Sequence, residues 1–327
     1  MILDKCPSTL APGYNTYCPS ARRKLFDGQE VSHVLPYEKA DIPELATENI
    51  GKISLSGVQP KFAVNIHEDL RLHYTSDGEQ GYYLLKPAPR ALHLFNRDYC
   101  PANENLTMQI ASQVFKIETA ANGLCFYEDD SEAYFTRRFD FDKYGHKLPQ
   151  EDFAALGGYT KANGGSDYKY RNSSYEECAE IIARYVKAPS VEILKFFNII
   201  VFNFLFLNDD AHLKNFALLK QGSEYRLAPA YDLINTSLHL GKPSIFALEK
   251  GLFKEGMSLS DVRWVERADF EEFGRRIGLN EKVVERSLNF MTAEHPEVKQ
   301  LIQQSFLSKE LQDSYFASYD FRRHMIK

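Results

Sequence analysis

An apolar run followed at once by a polar cluster is the feature that most constrains the fold of this chain. Residues Ile193–Leu207 read ILKFFNIIVFNFLFL, and residues Asn208–Asn215 read NDDAHLKN. The apolar run is shorter than the ~20 residues that cross a bilayer, and Lys195, Asn198 and Asn203 interrupt it. It therefore predicts a helix buried on nearly all sides, with no membrane association. A rigid helix of this kind would hold the polar cluster in a fixed place.

The polar cluster has the residue types and spacing of a phosphate-transferring centre. Carboxylates are costly to bury without partners, so Asp209 and Asp210 directly after a buried helix indicate specific roles. Asp210 and Asn215 have the Asp-x-x-x-x-Asn spacing of kinase catalytic loops, in which the Asp receives the substrate proton and the Asn binds Mg²⁺. We expect Asp209 to be structural and to accept hydrogen bonds from loop amides. Taken alone, the cluster could equally be an ordinary polar helix end.

Three charged residues elsewhere in the chain are candidates for the same chemistry. Asp232 lies in the apolar stretch APAYDLI, where a carboxylate needs a cation or several amide donors. Lys86 ends an apolar strand and can hold phosphate oxygens as a point charge, and Glu104, at the start of the next helix, can pair with it. Each has an ordinary alternative when taken separately: a turn-capping Asp, a strand-end Lys and a carboxylate favoured by a helix N-terminus.

A loop at residues 53–62, ISLSGVQPKF, precedes these charged residues in the chain. It offers hydrogen-bond donors from four side chains, Ser54, Ser56, Gln59 and Lys61. As a nucleotide-binding motif it is weak, because Gly57 is its single glycine. The order of the loop, Lys86, Glu104, the polar cluster and Asp232 is nevertheless the order of the parts of a protein kinase.

Local patterns divide the chain into a β-rich first half and a helical second half. Strands are expected at 52–66, 81–86, 123–127 and 133–139, and a helix at 102–116. A capping box of Ser173 or Ser174 with Glu176 or Glu177 predicts the start of a helix over Tyr175–Val186.

We therefore predict an α+β fold with two lobes, resembling the plan of a protein kinase. Residues 1–50 are expected to be an irregular segment, 51–145 a β-rich nucleotide-binding lobe, and 146–327 a catalytic lobe. The catalytic lobe should be all-helical apart from a short strand pair at 216–219 and 225–227. The cleft between two such lobes is a common ligand site.

Composition favours a globular protein of a reducing compartment. Hydrophobic residues make up 44% of the 327, and the net charge is 39 − 45 = −6, which argues against direct binding of nucleic acid by the whole surface. The five cysteines are odd in number and scattered, which is not the pattern of a disulfide framework. The start of the chain lacks the pattern of a signal peptide, so we expect a cytoplasmic location.

In combination, these motifs resemble the HipA family of serine/threonine protein kinase toxins. The matching motifs are SGVQPK (56–61), LKP (85–87), NE (103–104), RRFD (137–140), EDF (151–153), DAHLKNF (210–216) and PAYD (229–232). The resemblance extends from about residue 50 to about residue 240. The short N-terminal region and the Ser54-Leu55-Ser56 triplet before Gly57 look more like the compact HipT branch.

The resemblance implies transfer of the ATP γ-phosphate to a protein Ser or Thr, with aminoacyl-tRNA synthetases among the targets of the family. By motif position, Asp210 would be the catalytic base, and Asn215 and Asp232 would hold Mg²⁺. The expected cofactor contacts come from Ser56, Gly57, Gln59, Lys61, Lys86, Glu104 and His212. The resemblance also implies regulatory autophosphorylation at Ser54 and Ser56, a DNA-binding antitoxin of the HipB type, and a small HipS-like partner. His212 could orient Asp210 or bond to the backbone.

Two other functions stay open at this point. A small-molecule kinase of the aminoglycoside-phosphotransferase kind would share the Asp-x-x-x-x-Asn spacing but has its His before the Asp, whereas His212 follows Asp210. A non-catalytic corepressor subunit of an antitoxin–DNA complex is the other alternative. The complete set of Asp210, Asn215 and Asp232 counts against it.

Overall fold

The computed structural model describes residues 2–41, 59–242, 244–257 and 264–327. In these ranges the helices are Pro19–Phe26, Cys100–Gln113, Phe153–Leu156, Lys161–Gly164, Tyr175–Tyr185, Pro189–Leu205, Arg267–Arg276, Glu281–Thr292, Pro296–Gln304 and Lys309–Met325. The strands are β1 Phe62–Ile66, β2 Leu72–Tyr74, β3 Tyr83–Pro87, β4 Asn122–Phe126, β5 Glu132–Arg137, β6 Gln150–Asp152, β7 Ala217–Gln221 and β8 Glu224–Leu227. They form the two predicted lobes, and the α+β fold class is confirmed.

The first lobe is built on an antiparallel sheet. Among the described residues its strand order is β2-β1-β3-β5-β4, so β3 is central. Lys86 lies near the end of β3 and pairs in register with Tyr134 of β5. Its Nζ atom lies 5.2 Å from the centroid of the Tyr134 ring. The central strand thus carries a lysine whose stem is buried, and the helix Cys100–Gln113 packs beside it against β4 and β5.

The N-terminal segment covers the other side of this sheet. Its helix Pro19–Phe26 begins with a proline, which is favoured at the first helical position. The Phe26 and Phe135 rings stack with centroids 5.8 Å apart, and Tyr17 Oη donates a hydrogen bond of 2.7 Å to Leu124 O. The prediction of an irregular segment over residues 1–50 misses this helix, because eight residues give little periodic signal.

The second lobe is organised around the predicted buried helix, which spans Pro189–Leu205. The lobe is not all-helical, because β6 joins the predicted strand pair β7 and β8 in a small antiparallel sheet. Three-residue β6 is too short for an alternating pattern to reveal it. The predicted capping box is present, with Ser174 and Glu177 each bonding the backbone of the other at the start of the helix Tyr175–Tyr185.

The end of the helix Pro189–Leu205 directs the chain into the polar cluster. Leu207 adopts a left-handed conformation with φ 51°, and Asn208 N donates to Asn203 O at 2.8 Å. This is the hydrogen-bond pattern of a Schellman motif, in which glycine usually occupies the left-handed position. The chain accepts a strained leucine there, and the turn brings residues 208–215 to the cleft.

The C-terminal helix Lys309–Met325 supports both lobes. Tyr319 stacks on Phe206 with ring centroids 4.5 Å apart, and Tyr315 Oη lies 2.8 Å from Thr107 Oγ1 of the first lobe. Tyr315 and Tyr319 are both buried. Within the parts of the chain that are described, no helix combines the length and apolar character needed to cross a membrane.

Candidate active site

An ion network joins four of the predicted residues. Lys86 Nζ donates to Glu104 Oε1 at 2.6 Å and also contacts Asp232 Oδ1. Lys61 Nζ reaches the other oxygen, Asp232 Oδ2, at 3.3 Å. Lys86 and Glu104 are almost fully buried, so this pair is shielded from solvent, whereas Lys61 is partly exposed.

Charge and burial oppose each other in this network. Burial lowers the pKa of Lys86, but the charges of Asp232 and Glu104 outweigh it and hold the pKa above its ordinary value. Burial also raises the pKa of Asp232, yet Lys61 and Lys86 bring it well below its ordinary value. For Glu104 burial dominates over the attraction of Lys86 and raises the pKa to about 7.

Backbone geometry fixes the position of Asp232. Its φ of 56° lies in the left-handed region, which Asp tolerates better than most residues and which is often found at functional sites. The carbonyl oxygen of Asp232 accepts a hydrogen bond of 3.2 Å from Asn208 Nδ2. Asn208 Oδ1 in turn accepts one of 3.3 Å from Asp210 N. Asn208 therefore ties Asp232 to the predicted catalytic loop.

The carboxylate of Asp210 is buried and held by an aromatic hydroxyl. Tyr170 Oη donates to Asp210 Oδ1 at 2.6 Å. The His212 ring lies edge-on to the Tyr170 ring, with centroids 4.9 Å apart, and burial lowers the pKa of His212 well below its ordinary value. Asp209 accepts a hydrogen bond of 2.6 Å from the Ser244 amide, as predicted for a structural carboxylate.

The predicted residues that the structure describes largely meet in one cleft. Its lining comprises Gln59, Lys61, Lys86, Glu104, Asp210, Asn215, Asp232 and Ile234. Gln59 Nε2 donates to Pro87 O at 3.2 Å, which fixes it beside β3. The predicted cofactor contact His212 is not part of this lining, and its ring contacts that of Tyr170. Ser54, Ser56 and Gly57 lie outside the described residues.

The donor set in the cleft fits a hard divalent cation. The buried Asn215 Oδ1 atom has no hydrogen-bond partner among the described residues, although Asn215 N donates to His212 O at 2.9 Å. Asp232 supplies carboxylate oxygens in the same cleft, where Lys61 and Lys86 provide its positive counter-charges. Amide and carboxylate oxygens are the ligands that Mg²⁺ prefers, so the side chains of Asn215 and Asp232 suit the predicted role of metal ligands.

A second buried cluster fixes both sides of the ion network. The sequence analysis had assigned no role to its residues. Asn103 Oδ1 accepts from Asn235 N at 3.1 Å, and Asn103 Nδ2 donates to Asn235 O at 2.8 Å. Asn103 Nδ2 also lies 2.8 Å from His239 Nε2, and His239 Nδ1 lies 3.0 Å from Phe95 O. Asn103 precedes Glu104 and Asn235 follows Asp232 closely, so the cluster fixes the two carboxylates relative to each other.

Burial of this cluster predicts a pH-dependent loss of stability. Burial lowers the pKa of His239 from 6.5 to about 4, so the unfolded chain takes up the proton first as the pH falls. The stability that neutral His239 contributes is present above about pH 6.5 and is lost towards about pH 4, up to roughly 3 kcal/mol. We expect His239→Gln to be less stable at neutral pH but to lack this part of the pH dependence. Urea unfolding across this pH range measures both effects.

Exposed His93 offers the matched control, because it lies at the surface. His93→Gln should keep the wild-type pH dependence. If His239→Gln and wild type lose stability in parallel over this range, His239 is not the group responsible.

Two residues near the catalytic loop also escaped sequence reasoning. Tyr170 lies 40 residues before Asp210 in the chain, and Lys169 directly precedes it. Burial lowers the pKa of Lys169, and the neighbouring Asp210 carboxylate opposes that effect. No local sequence pattern reveals these neighbours, because their contact with Asp210 depends on how distant segments of the chain pack.

The fold and the site together are those of a two-lobed, protein-kinase-like protein. The chain matches the family described as HipA-like C-terminal domain over residues 53–298. It belongs to this family, which confirms the HipA resemblance. The comparisons do not separate out the HipT branch, which stays a prediction.

Bacterial relatives of this chain are named as kinases. A Haemophilus influenzae protein named "Putative kinase" is 27% identical over 323 residues, which is 93% of this chain and 90% of that protein. "Putative kinase Y4mE" of Sinorhizobium fredii is 30% identical over 200 residues, 59% of this chain and 45% of that protein.

Solved structures share the fold at low sequence identity. A chain of the Shewanella oneidensis complex of HipA, HipB and operator DNA has a TM-score of 0.62 and 19% identity, covering 84% of this chain and 64% of that chain. The Helicobacter pylori proinflammatory kinase CtkA has a TM-score of 0.52 and 16% identity, covering 78% and 88%. At these identities, the similarity establishes the fold.

Proposed function

We propose that this protein is an ATP- and Mg²⁺-dependent protein kinase that transfers the γ-phosphate to a Ser or Thr side chain. One observation carries the proposal: Lys86, Glu104, Asp210, Asn215 and Asp232 surround one cleft although they come from three separate parts of the chain. Their residue types and order are those of the phosphoryl-transfer site of protein kinases. Family membership and the names of the relatives support the same activity.

In the proposed reaction, each residue has a distinct task. Bound Mg²⁺ would neutralise charge on the phosphates. Lys86 keeps its bonds to Glu104 and Asp232 and offers its remaining N–H donor to a phosphate oxygen. Asp210 accepts the proton of the acceptor hydroxyl as that oxygen attacks. Tyr170 donates to Asp210 Oδ1 and so orients the carboxylate.

The finer assignments rest on the motif resemblance. We propose an aminoacyl-tRNA synthetase as the acceptor protein, and regulatory autophosphorylation at Ser54 and Ser56. A HipB-type antitoxin and a small HipS-like protein are the proposed partners, and the Shewanella HipA complex contains HipB together with DNA. The net charge of −6 favours the antitoxin, and not this chain, as the contact to nucleic acid.

Intact-mass analysis of dephosphorylated protein tests the proposal. After incubation with Mg²⁺ and ATP, we expect added phosphate that maps to Ser54 or Ser56. Calorimetry should show ATP binding that requires Mg²⁺. Absence of both phosphate and nucleotide binding would reject the kinase assignment and favour the corepressor alternative.

Removal of the Tyr170 hydroxyl should slow turnover without weakening nucleotide binding. Hydrogen bonds to charged groups contribute ~1.5–3 kcal/mol, so we expect Tyr170→Phe to lower kcat by about tenfold or more. The KM for ATP should stay unchanged, because Tyr170 lies outside the lining of the ion-network cleft. Steady-state kinetics with saturating Mg²⁺ measures both constants.

Tyr175→Phe is the matched control, since Tyr175 Oη donates to the backbone of the same loop, at Ala211 O, at 2.9 Å. Tyr175→Phe should lower the free energy of unfolding and have a smaller effect on kcat. Equal loss of kcat in the two variants would mean that Tyr170 acts through loop stability and does not position Asp210.

A further inference from the structure

A second concave surface reaches the catalytic loop through Tyr170, whose hydroxyl contacts Asp210. It is lined by residues Asp167, Tyr170, Arg171, 244–251 and Met257 and has a volume of about 1180 Å³, including space open to solvent. We call it the Tyr170 groove. The ion-network cleft is smaller, with about 280 Å³, so the groove offers the more extended surface.

Each wall of the Tyr170 groove is bonded to an aspartate of the catalytic loop. Tyr170, on one wall, donates to Asp210 Oδ1 at 2.6 Å. The amide of Ser244, on the other wall, donates to Asp209 Oδ2 at 2.6 Å. The groove is therefore fixed in relation to the proposed catalytic base, and a chain lying in it would pass beside Asp210.

Hydrogen bonds between the walls fix the shape of the groove. Glu249 N donates to Tyr170 O at 2.9 Å, and Lys250 N donates to Ser173 O at 3.1 Å. Asn172 N also donates to Glu249 Oε2 at 2.8 Å. A preformed surface lowers the entropic cost of ordering a flexible ligand.

The chemistry of the groove suits a polypeptide better than a nucleotide. Phe246, Ala247 and Leu248 form a buried apolar base. On the rim the charges are balanced by close partners, as in the 3.5 Å pair of Arg171 with Asp167 and the 3.9 Å pair of Lys250 with Glu177. A triphosphate requires cations beside it, and in the ion-network cleft Lys61, Lys86 and a bound Mg²⁺ would supply them.

We infer that the Tyr170 groove binds an extended segment of the acceptor protein next to its Ser or Thr. The segment places the acceptor hydroxyl at Asp210, while ATP enters from the ion-network cleft on the other side. This inference rests on the proposed kinase function and adds the surface that selects the acceptor.

Two groove variants and one control separate acceptor binding from nucleotide chemistry. Ile245→Arg places a bulky charge in the groove, and Arg171→Glu reverses an exposed charge on its rim. Val191→Arg makes the same apolar-to-charged change at an exposed residue outside the groove lining. The probe is a pool of Ser- and Thr-centred peptides with degenerate flanks, supplied with labelled ATP and Mg²⁺.

We expect both groove variants to phosphorylate the peptides at least about tenfold more slowly, as for the loss of a docking contact. Their ATP affinity and peptide-free ATP hydrolysis should equal those of wild type, and Val191→Arg should match wild type throughout. Unchanged peptide phosphorylation in both groove variants overturns the inference. So does a wild type that hydrolyses ATP but modifies no peptide. A wild type that neither binds nor hydrolyses ATP contradicts the proposed function itself.

Discussion

Asp210→Asn should abolish most phosphoryl transfer while leaving Mg²⁺-ATP binding intact. The substitution keeps the size of the side chain and its ability to accept from Tyr170, but an amide cannot take up the acceptor proton. Loss of a general base costs about 10²–10⁴-fold in rate. Single-turnover transfer measures the rate, and calorimetry with Mg²⁺ and ATP measures the affinity.

The neighbouring Asp209 offers a control of the same chemistry. Asp209 accepts from the Ser244 amide, so Asp209→Asn should reduce stability and affect transfer far less than Asp210→Asn. If Asp210→Asn turned over at a rate near that of wild type, Asp210 could not be the base, and the Asp-x-x-x-x-Asn assignment would fail with it.

Lys86→Met should both destabilise the fold and eliminate ATP turnover. The substitution leaves Glu104 buried without its cation, and removal of one partner of a buried ion pair costs about 3–5 kcal/mol. Asp232 would keep Lys61 as a partner at 3.3 Å, so the unpaired Glu104 should account for most of the loss. Urea unfolding of wild type and variant gives the difference in the free energy of unfolding.

The pH dependence identifies Glu104 as the source of this loss. Burial raises its pKa to about 7 even with Lys86 present, so the stability linked to its protonation is present below its ordinary pKa and is lost as the pH rises through about 7. Without Lys86 the carboxylate is still less favoured. The variant should therefore lose less stability at about pH 5.5 than at about pH 8.

A double variant separates stability from function. Lys86→Met with Glu104→Leu replaces the pair by apolar side chains and should recover most of the stability, but no turnover. A double variant as unstable as Lys86→Met would show that loss of Lys86 packing, and not an unpaired carboxylate, causes the destabilisation.

Sequence patterns sufficed for the features that are local in the chain. The apolar run predicted the helix Pro189–Leu205, and Ser174 with Glu177 predicted where the helix Tyr175–Tyr185 begins. Alternation located most strands of the first sheet. These signals work because a few consecutive residues determine capping, periodicity and burial.

Local sequence patterns could not predict the contacts between distant segments. Asn103 meets Asn235 across 132 residues, and each asparagine viewed in its own segment is an ordinary polar residue. Tyr170 lies in a loop of ordinary composition, and the role of its hydroxyl becomes visible only from its hydrogen bond to Asp210. The order of the motifs predicted that Lys86, Glu104 and Asp232 belong to one site, but their hydrogen-bond partners depend on packing.

The bond between Thr107 and Tyr315 has a consequence for biosynthesis. It joins residues 208 positions apart, and Asn235 is linked in a similar way to Ser318 of the same C-terminal helix. A nascent chain emerges from the ribosome in order, so the helix that carries Glu104 waits for these contacts until residue 315 has been made. The cleft therefore matures late in translation, and a prematurely terminated chain would lack a properly assembled ion network.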